Sequence, residues 1–196
     1  MTLPGRAKII TRVTITHDAN GAARPAFAAY ERRIDAVGAA HPEMPRTTVV
    51  RVRLLRHALR LLGDDLEQFF AARGLSASGW SALMMLYSAP ESRMNPSALS
   101  ADLVLSRTHM TRVADELVAK GWVRREPDAQ DRRRVDLVLT GPGRTFIRRT
   151  VPAAWAHYER LLEVFEPGEA RTLERLMRKL ISHLPADRAA QSRPAR

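Results

Sequence analysis

Apolar positions along the chain fall into helical spacing over most of its length. Val52, Leu55, Leu59, Leu62, Leu66 and Phe69 step by threes and fours, which predicts a long helix over residues 47–72. Such a seam suits either packing along another long helix or an ordinary core stripe within one chain. A second helix is expected from Ser76, its N-cap, with Trp80, Leu83, Met84 and Tyr87 on one face and a stop at Ala89-Pro90. Gly79 stands where a capping-box Glu or Gln would serve better, so this start is weakly specified. Asn95-Pro96 opens a third helix, with Leu99 and Leu103 one turn apart. After the short break Val104-Leu105-Ser106, Ser106 caps a fourth that runs to about Lys120. Its stripe is Met110, Val113, Ala114, Leu117 and Val118, and Gly121 suits the position just past its end.

The period then changes. Residues 122–126 read as a strand, 127–134 as a polar turn, and Val135, Leu137 and Leu139 alternate with Asp136 and Val138 as a returning strand. Thr140 caps a further long helix carrying Phe146, Ile147, Trp155, Tyr158, Leu162 and Phe165, with Pro142 in its first turn and an expected kink at Pro152. Pro167-Gly168-Glu169 starts a last helix with Leu173, Leu176, Met177, Leu180 and Leu184 on one face, ended by Pro185. Upstream, residues 12–16 alternate like a short strand, or belong to a disordered arm. Residues 22–37 have a sparse helical face of Phe27, Tyr30, Ile34 and Val37, and Gly38 and residues 41–45 make a break.

Two short helices joined by a tight turn are the helix-turn-helix pattern, whose second helix enters a DNA major groove. A basic-tipped hairpin after them makes a winged helix. The expected fold is therefore mainly α with a small β wing: a winged helix-turn-helix over residues 76–139, further helices within 46–75 and 140–185, an N-terminal extension at 1–45, partly helical or disordered, and a loose tail at 186–196.

Composition sharpens this picture. The 196 residues suffice for one domain, or one plus an appendage, and 32 Lys and Arg against 21 Asp and Glu leave a net charge of +11. That balance suits a phosphate-rich partner better than an anionic membrane surface. The absence of Cys excludes disulfides, thiolate metal sites and cysteine-based redox sensing. No apolar run approaches the roughly 20 residues that span a bilayer, and no secretory leader is evident, so a cytoplasmic location is expected. The six His are scattered, with no metalloprotease motif, phosphate loop or nucleophile elbow. Neither an enzyme, a cofactor nor a metal site is expected.

The run from Ala114 to Val123, then Asp131-Arg132-Arg133, then Leu139-Thr140 and Gly143, resembles the MarR family of transcriptional regulators. Arg107-Thr108 and Thr111-Arg112, followed by residues 114–117, resemble the recognition helix of its multidrug-responsive branch. The likeness extends over about residues 44–184. DNA contacts are expected from Ser106, Arg107, Thr108, His109, Thr111 and Arg112, because Arg binds guanine in bidentate fashion and hydroxyls reach phosphates or bases. At the wing, the resemblance implies that Arg133 enters a minor groove with Asp131 orienting it, while Arg132 and Arg134 touch phosphates or solvent. The register is open by one residue between Arg133 and Arg134.

The resemblance also implies that residues 46–75 and 140–185 make an α-helical dimerisation domain, and with it a homodimer on a pseudo-palindromic operator and a small aromatic or amphipathic effector. Candidates for the effector site are Arg53, Arg56, His57, Trp80, Met84, Arg144 and Arg148, of which Trp and Met suit an adaptable apolar pocket. The expected function is a repressor released by a drug-like effector. The alternatives are a regulator of aromatic catabolism or of a urate-type metabolite, or a basic nucleic-acid-binding scaffold.

Overall fold

The computed structural model describes residues 25–128 and 134–184. The expected strand or arm at residues 12–16, the tail 186–196 and the wing tip that carries Asp131, Arg132 and Arg133 lie outside the described residues. The elements are α1 (Pro25–Ala40), α2 (Arg46–Ala71), α3 (Ala77–Ser88), a single 3-10 turn (Pro90–Ser92), β1 (Arg93–Met94), α4 (Pro96–Asp102), α5 (Arg107–Ala119), β2 (Val123–Pro127), β3 (Val135–Leu139), α6 (Gly141–Leu162) and α7 (Pro167–His183). The described residues divide into two compact units, one up to Ala58 and one from Leu59 on.

In the first unit, α1 and the start of α2 are joined by a turn in which the Met44 N–H donates to the His41 carbonyl at 3.0 Å. Arg46 Nε donates to Asp35 Oδ1 at 2.5 Å, and the Arg53 guanidinium lies 5.7 Å from the centre of the Tyr30 ring. Helix α1 runs past Gly38 instead of stopping there. The Met44 methyl packs where a side chain at 38 would be, 2.9 Å from the position of an added Cβ.

The core of the second unit is built from one face of each helix. Phe70, Leu75, Trp80, Leu83, Leu86, Leu99, Met110, Val113, Leu117, Val123, Leu137, Leu139 and Ile147 are buried together. The N-caps anticipated from sequence are in place. Ser76, Asn95, Ser106 and Thr140 each accept a backbone N–H of their own helix through the side-chain oxygen. Gly121 adopts a φ of +68°, the left-handed conformation that ends α5.

Two features depart from the sequence pattern. The weak start of α3 is repaired from outside: Glu116 of α5 accepts both the Ser76 backbone N–H (3.0 Å) and its hydroxyl (2.7 Å), and Glu67 of α2 accepts the Ala77 N–H (2.9 Å). The hairpin gains a third strand, since β1 pairs antiparallel with β3 in the order β1-β3-β2. With β1 alongside, Asp136 and Val138 are buried together with Leu137 and Leu139, and only Val135 is exposed, so the simple alternation fails. Helix α6 is one continuous span of 22 residues with Pro152 inside it.

Candidate nucleic-acid interface

The helix-turn-helix is set by a few local contacts. Leu99 of α4 is fully buried, and the Ser100 hydroxyl donates to the Leu105 carbonyl at 2.7 Å, which fixes the turn. Val104 takes a φ of +53° in that turn and is exposed. Met110, Val113, Ala114 and Leu117 hold the buried side of α5. Helical periodicity then presents Ser106, Arg107, Thr108, His109, Thr111 and Arg112 to solvent, and all six are exposed.

The chemistry of these side chains is differentiated. Ser106 accepts the His109 N–H at 3.2 Å through its hydroxyl oxygen, which leaves the hydroxyl proton free to donate outward. Thr111 donates its hydroxyl to the Arg107 carbonyl at 3.0 Å, so it remains an acceptor only. Among the described residues, neither Arg107 nor Arg112 pairs with a carboxylate. Glu116 lies one turn from Arg112, but its carboxylate is occupied by Ser76. Ser106, Thr108, His109, Arg112, Val113 and Glu116 line a shallow hollow of about 350 Å³. The positive end of the α5 dipole adds to the field there.

At the wing base, charges are mutually satisfied. Arg93 of β1 pairs with Glu126 of β2, and its other guanidinium nitrogen reaches Asp136 of β3 at 3.4 Å. Arg124 Nε donates to Glu126 Oε1 at 2.5 Å, and Arg125 binds Asp115 of α5 at 2.6 Å. The Arg124 hydrogen bond holds the Glu126 carboxyl below its ordinary range against some desolvation, with further help from Arg93. Sequence reasoning missed Arg93, Glu126 and Asp136 as a set. The available signal was the same-face placement of Arg124 and Glu126 on one strand. Arg134, at the foot of β3, is exposed, and its carbonyl accepts the Asp128 N–H at 3.0 Å.

The effector candidates fall in different settings. In the first unit Arg53 and Arg56 are exposed and His57 is half-buried. In the second, Trp80 is 3% exposed, stacked on Phe70 at 5.1 Å, and donates its indole N–H to the Tyr158 hydroxyl at 3.1 Å. Met84 and Arg144 are half-buried, and Arg148 is exposed, with a long 3.5 Å bond to the Thr145 hydroxyl. A large apolar surface is also uncovered on the late helices and the loop between them, at Trp155, Leu162, Val164, Phe165, Leu176, Ile181 and Leu184, and α7 has no buried residue at all.

A helix-turn-helix followed by a strand hairpin, with the second helix bared along its first turns, defines a winged-helix protein. The model of the MarR family matches residues 75–135. The transcriptional repressor MprA of Escherichia coli strain K12 is 32% identical over 158 residues, spanning 81% of this chain and 90% of MprA. Among solved structures, the MarR family regulator Sco3205 of Streptomyces coelicolor, in complex with DNA, superposes with a TM-score of 0.68 at 24% identity, covering 72% of this chain and 90% of that one. BpsR of Bordetella bronchiseptica, whose DNA binding is regulated by 6-hydroxynicotinic acid, gives a TM-score of 0.61 at 23% identity, covering 67% and 92%. The chain belongs to the MarR family of transcriptional regulators.

Proposed function

We propose that this regulator is a homodimeric repressor that binds a pseudo-palindromic operator and releases it on binding a small amphipathic aromatic effector. The observation that carries the DNA-binding part is the first half of α5. Two arginines that have no carboxylate partner among the described residues, and a free hydroxyl proton at Ser106, stand on a helix N-terminus whose acidic neighbours are engaged elsewhere. Arg112 reads a base edge, with Arg107, Thr108, His109 and Thr111 around it, and the wing residues Asp131, Arg132, Arg133 and Arg134 follow the flanking groove.

Residues 46–75 and 140–185 form the dimerisation region and 76–139 the DNA-binding region. The uncovered apolar surface of α6 and α7 supports the first assignment. A twofold dimer would place its recognition helices about 10 base pairs apart, centre to centre. The effector acts by favouring a dimer in which that spacing is lost. A coupling of about 1–3 kcal/mol would weaken DNA binding roughly 5- to 150-fold.

The test is selection of preferred duplexes from a random pool by the full-length protein, followed by anisotropy titrations. Arg112→Ala is expected to cost about 1–3 kcal/mol and to relax discrimination at particular base pairs. Equal weakening on every duplex would make Arg112 a phosphate contact, and no enrichment over random sequence would defeat the operator-binding reading. Light scattering on the same samples should give the dimer mass. For the effector, salicylate-like and uncoupler-like compounds are titrated against the protein–operator complex, and compounds that bind without changing operator affinity would refute the release mechanism alone.

A further inference from the structure

The three-stranded sheet carries a set of charges on the face turned away from the core. Arg93 stands opposite Val138, Arg124 stands opposite the same Val138 from the other side, and Glu126 stands opposite Asp136. The alternation of side chains along a strand puts these five residues on one face. The other face carries Val123, Leu137 and Leu139, which are buried in the core. Two arginines and two carboxylates therefore balance each other in a chain of net charge +11. Carboxylates on a DNA-facing hairpin oppose its attraction to phosphate, so these two call for another role.

One guanidinium joins all three strands. Arg93 of β1 donates through Nη2 to Glu126 on β2, and its Nη1 reaches Asp136 on β3 at 3.4 Å. The side chains of Arg93 and Glu126 are 29% exposed and that of Asp136 is 8%, so these pairs are shielded from the solvent that weakens surface ion pairs. A planar fork suits two acceptors on different strands, which an ammonium would not hold in the same way. Strand β1 has little else to fix it. It is two residues long and follows Glu91 and Ser92, both at φ +52°, a left-handed conformation unfavourable for L-residues. Two residues beyond Arg93, Asn95 caps α4, the first helix of the helix-turn-helix, and its amide donates to the Val135 carbonyl at 3.4 Å. At the other edge of the sheet, Arg125 binds Asp115 of α5 at 2.6 Å. The hairpin is thus braced to α5 from β2 and to α4 through β1.

We infer that Arg93, acting through Glu126, is a positioning residue for DNA binding: it fixes the β2–β3 hairpin against the start of α4, so that the hairpin and α5 meet one duplex together. The inference rests on the DNA-binding reading above. Neither residue needs to touch DNA. Without the tie the hairpin stays joined to α5 through Arg125 but loses its second brace, and ordering it again on the duplex costs affinity. The consequence has a sign that charge alone does not give. Removing the Glu126 carboxylate frees two arginines and takes away a negative charge, which by Coulomb attraction strengthens DNA binding. Loss of positioning weakens it.

The experiment measures binding of the full-length Glu126→Gln protein by anisotropy over a range of salt. Two duplexes are used, one selected from the random pool and a scrambled one of equal composition. Phosphate contacts carry no sequence, so both report on the hairpin. Glu126→Gln should weaken binding to both by about fivefold or more, with a shallower salt dependence as phosphate contacts are lost. Asp136 keeps Arg93 in this variant, so the fold is retained, and a urea midpoint far above assay conditions excludes unfolding as the cause. Arg93→Gln alone would leave Asp136 buried without its cation, so it is made together with Asp136→Asn. That pair should weaken binding as much as Glu126→Gln does, and adding Glu126→Gln to it should cost little more, because all three act through one tie. Unchanged or tighter binding by Glu126→Gln would overturn the inference and leave Glu126 as a repulsive charge only. Fully additive losses would overturn it as well, making Arg93 a phosphate contact in its own right. If the wild-type protein showed no preference for the selected duplex while Glu126→Gln still weakened binding to the scrambled one, the operator reading alone would fail.

Discussion

Glu116 on α5 closes the N-terminus of α3 by accepting the Ser76 N–H and the Ser76 hydroxyl with its two carboxylate oxygens. One carboxylate thus does two things. It completes a cap that the α3 sequence cannot complete with Gly79, and it is diverted from Arg112, one turn away on the same helix. Ser76 meanwhile caps its own helix through Gly79 at 3.0 Å. Glu116→Ala should destabilise the protein by about 1–2 kcal/mol, as loss of a charged cap contact does, read as a lower urea midpoint at unchanged slope. An unchanged midpoint would mean that solvent satisfies Ser76 equally well.

Val104 is a β-branched residue in left-handed backbone, φ +53°, at the turn between α4 and α5. That conformation costs an L-residue about 1–2 kcal/mol, whereas Gly adopts it freely but pays about 0.5–1 kcal/mol in unfolded-state entropy. The side chain is 71% exposed and gives up little packing when removed. Val104→Gly should therefore raise stability by up to about 1 kcal/mol, seen as a higher thermal midpoint. A lower midpoint would show that the Val104 side chain contributes packing that its exposure hides.

The wing base should resist acid. The Arg124 hydrogen bond, together with Arg93, holds the folded-state pKa of Glu126 below its unfolded value. A depressed carboxylate pKa stabilises the fold above the unfolded pKa, and that contribution is lost as pH falls through the folded pKa. The Arg93–Glu126 tie between β1 and β2 should accordingly persist through the range in which an ordinary Glu titrates and fail only below it. Side-chain carbon shifts of Glu126 followed by NMR would report this directly. Arg124→Gln should move the transition back toward the ordinary value, and a transition unmoved by that change would remove Arg124 as its cause.

Local signals carried most of the fold. Ser76, Asn95, Ser106, Thr140 and Gly121 act through their own neighbours in the chain, so their roles as caps were readable from position and residue type. The stripe Met110, Val113, Ala114, Leu117 predicted which side of α5 is bare, and hence where Arg107 and Arg112 point. What could not be read depends on contacts between distant segments. β1 is two residues long and carries no alternation, and it forms because β3 offers an open edge to Arg93 and Met94. Asp136 was expected to face solvent and is buried because Arg93 arrives from 43 residues away. Trp80 was singled out for an effector on residue type alone, whereas its burial is set by Phe70 and Tyr158, on two other stretches of chain.

The joint between the wing and α6 makes the sharpest stability test, because two nearby glycines there should behave oppositely. The Thr140 N–H donates to the Trp122 carbonyl at 3.0 Å, and the Thr140 hydroxyl donates to the Gly121 carbonyl at 2.7 Å while accepting the Gly143 N–H at 3.1 Å. This draws the first turn of α6 onto the chain that leaves α5. A Cβ at Gly143 would sit 2.3 Å from the Trp122 carbonyl oxygen and 2.8 Å from a Leu139 methyl. The nearer obstacle is backbone, held by the Thr140 hydrogen bond, so it cannot swing aside as a side chain would. Gly141 starts the same helix with open space around it. Gly143→Ala should cost about 1–3 kcal/mol, the range for forced overpacking, and should perturb Trp122 emission because the clash is with its own peptide group. Gly141→Ala should be neutral or stabilising by up to about 0.5–1 kcal/mol, through reduced freedom of the unfolded chain. Equal effects of the two substitutions in denaturant unfolding would mean that general helix propensity governs this joint, and the close approach of α6 to Trp122 would lose its energetic significance.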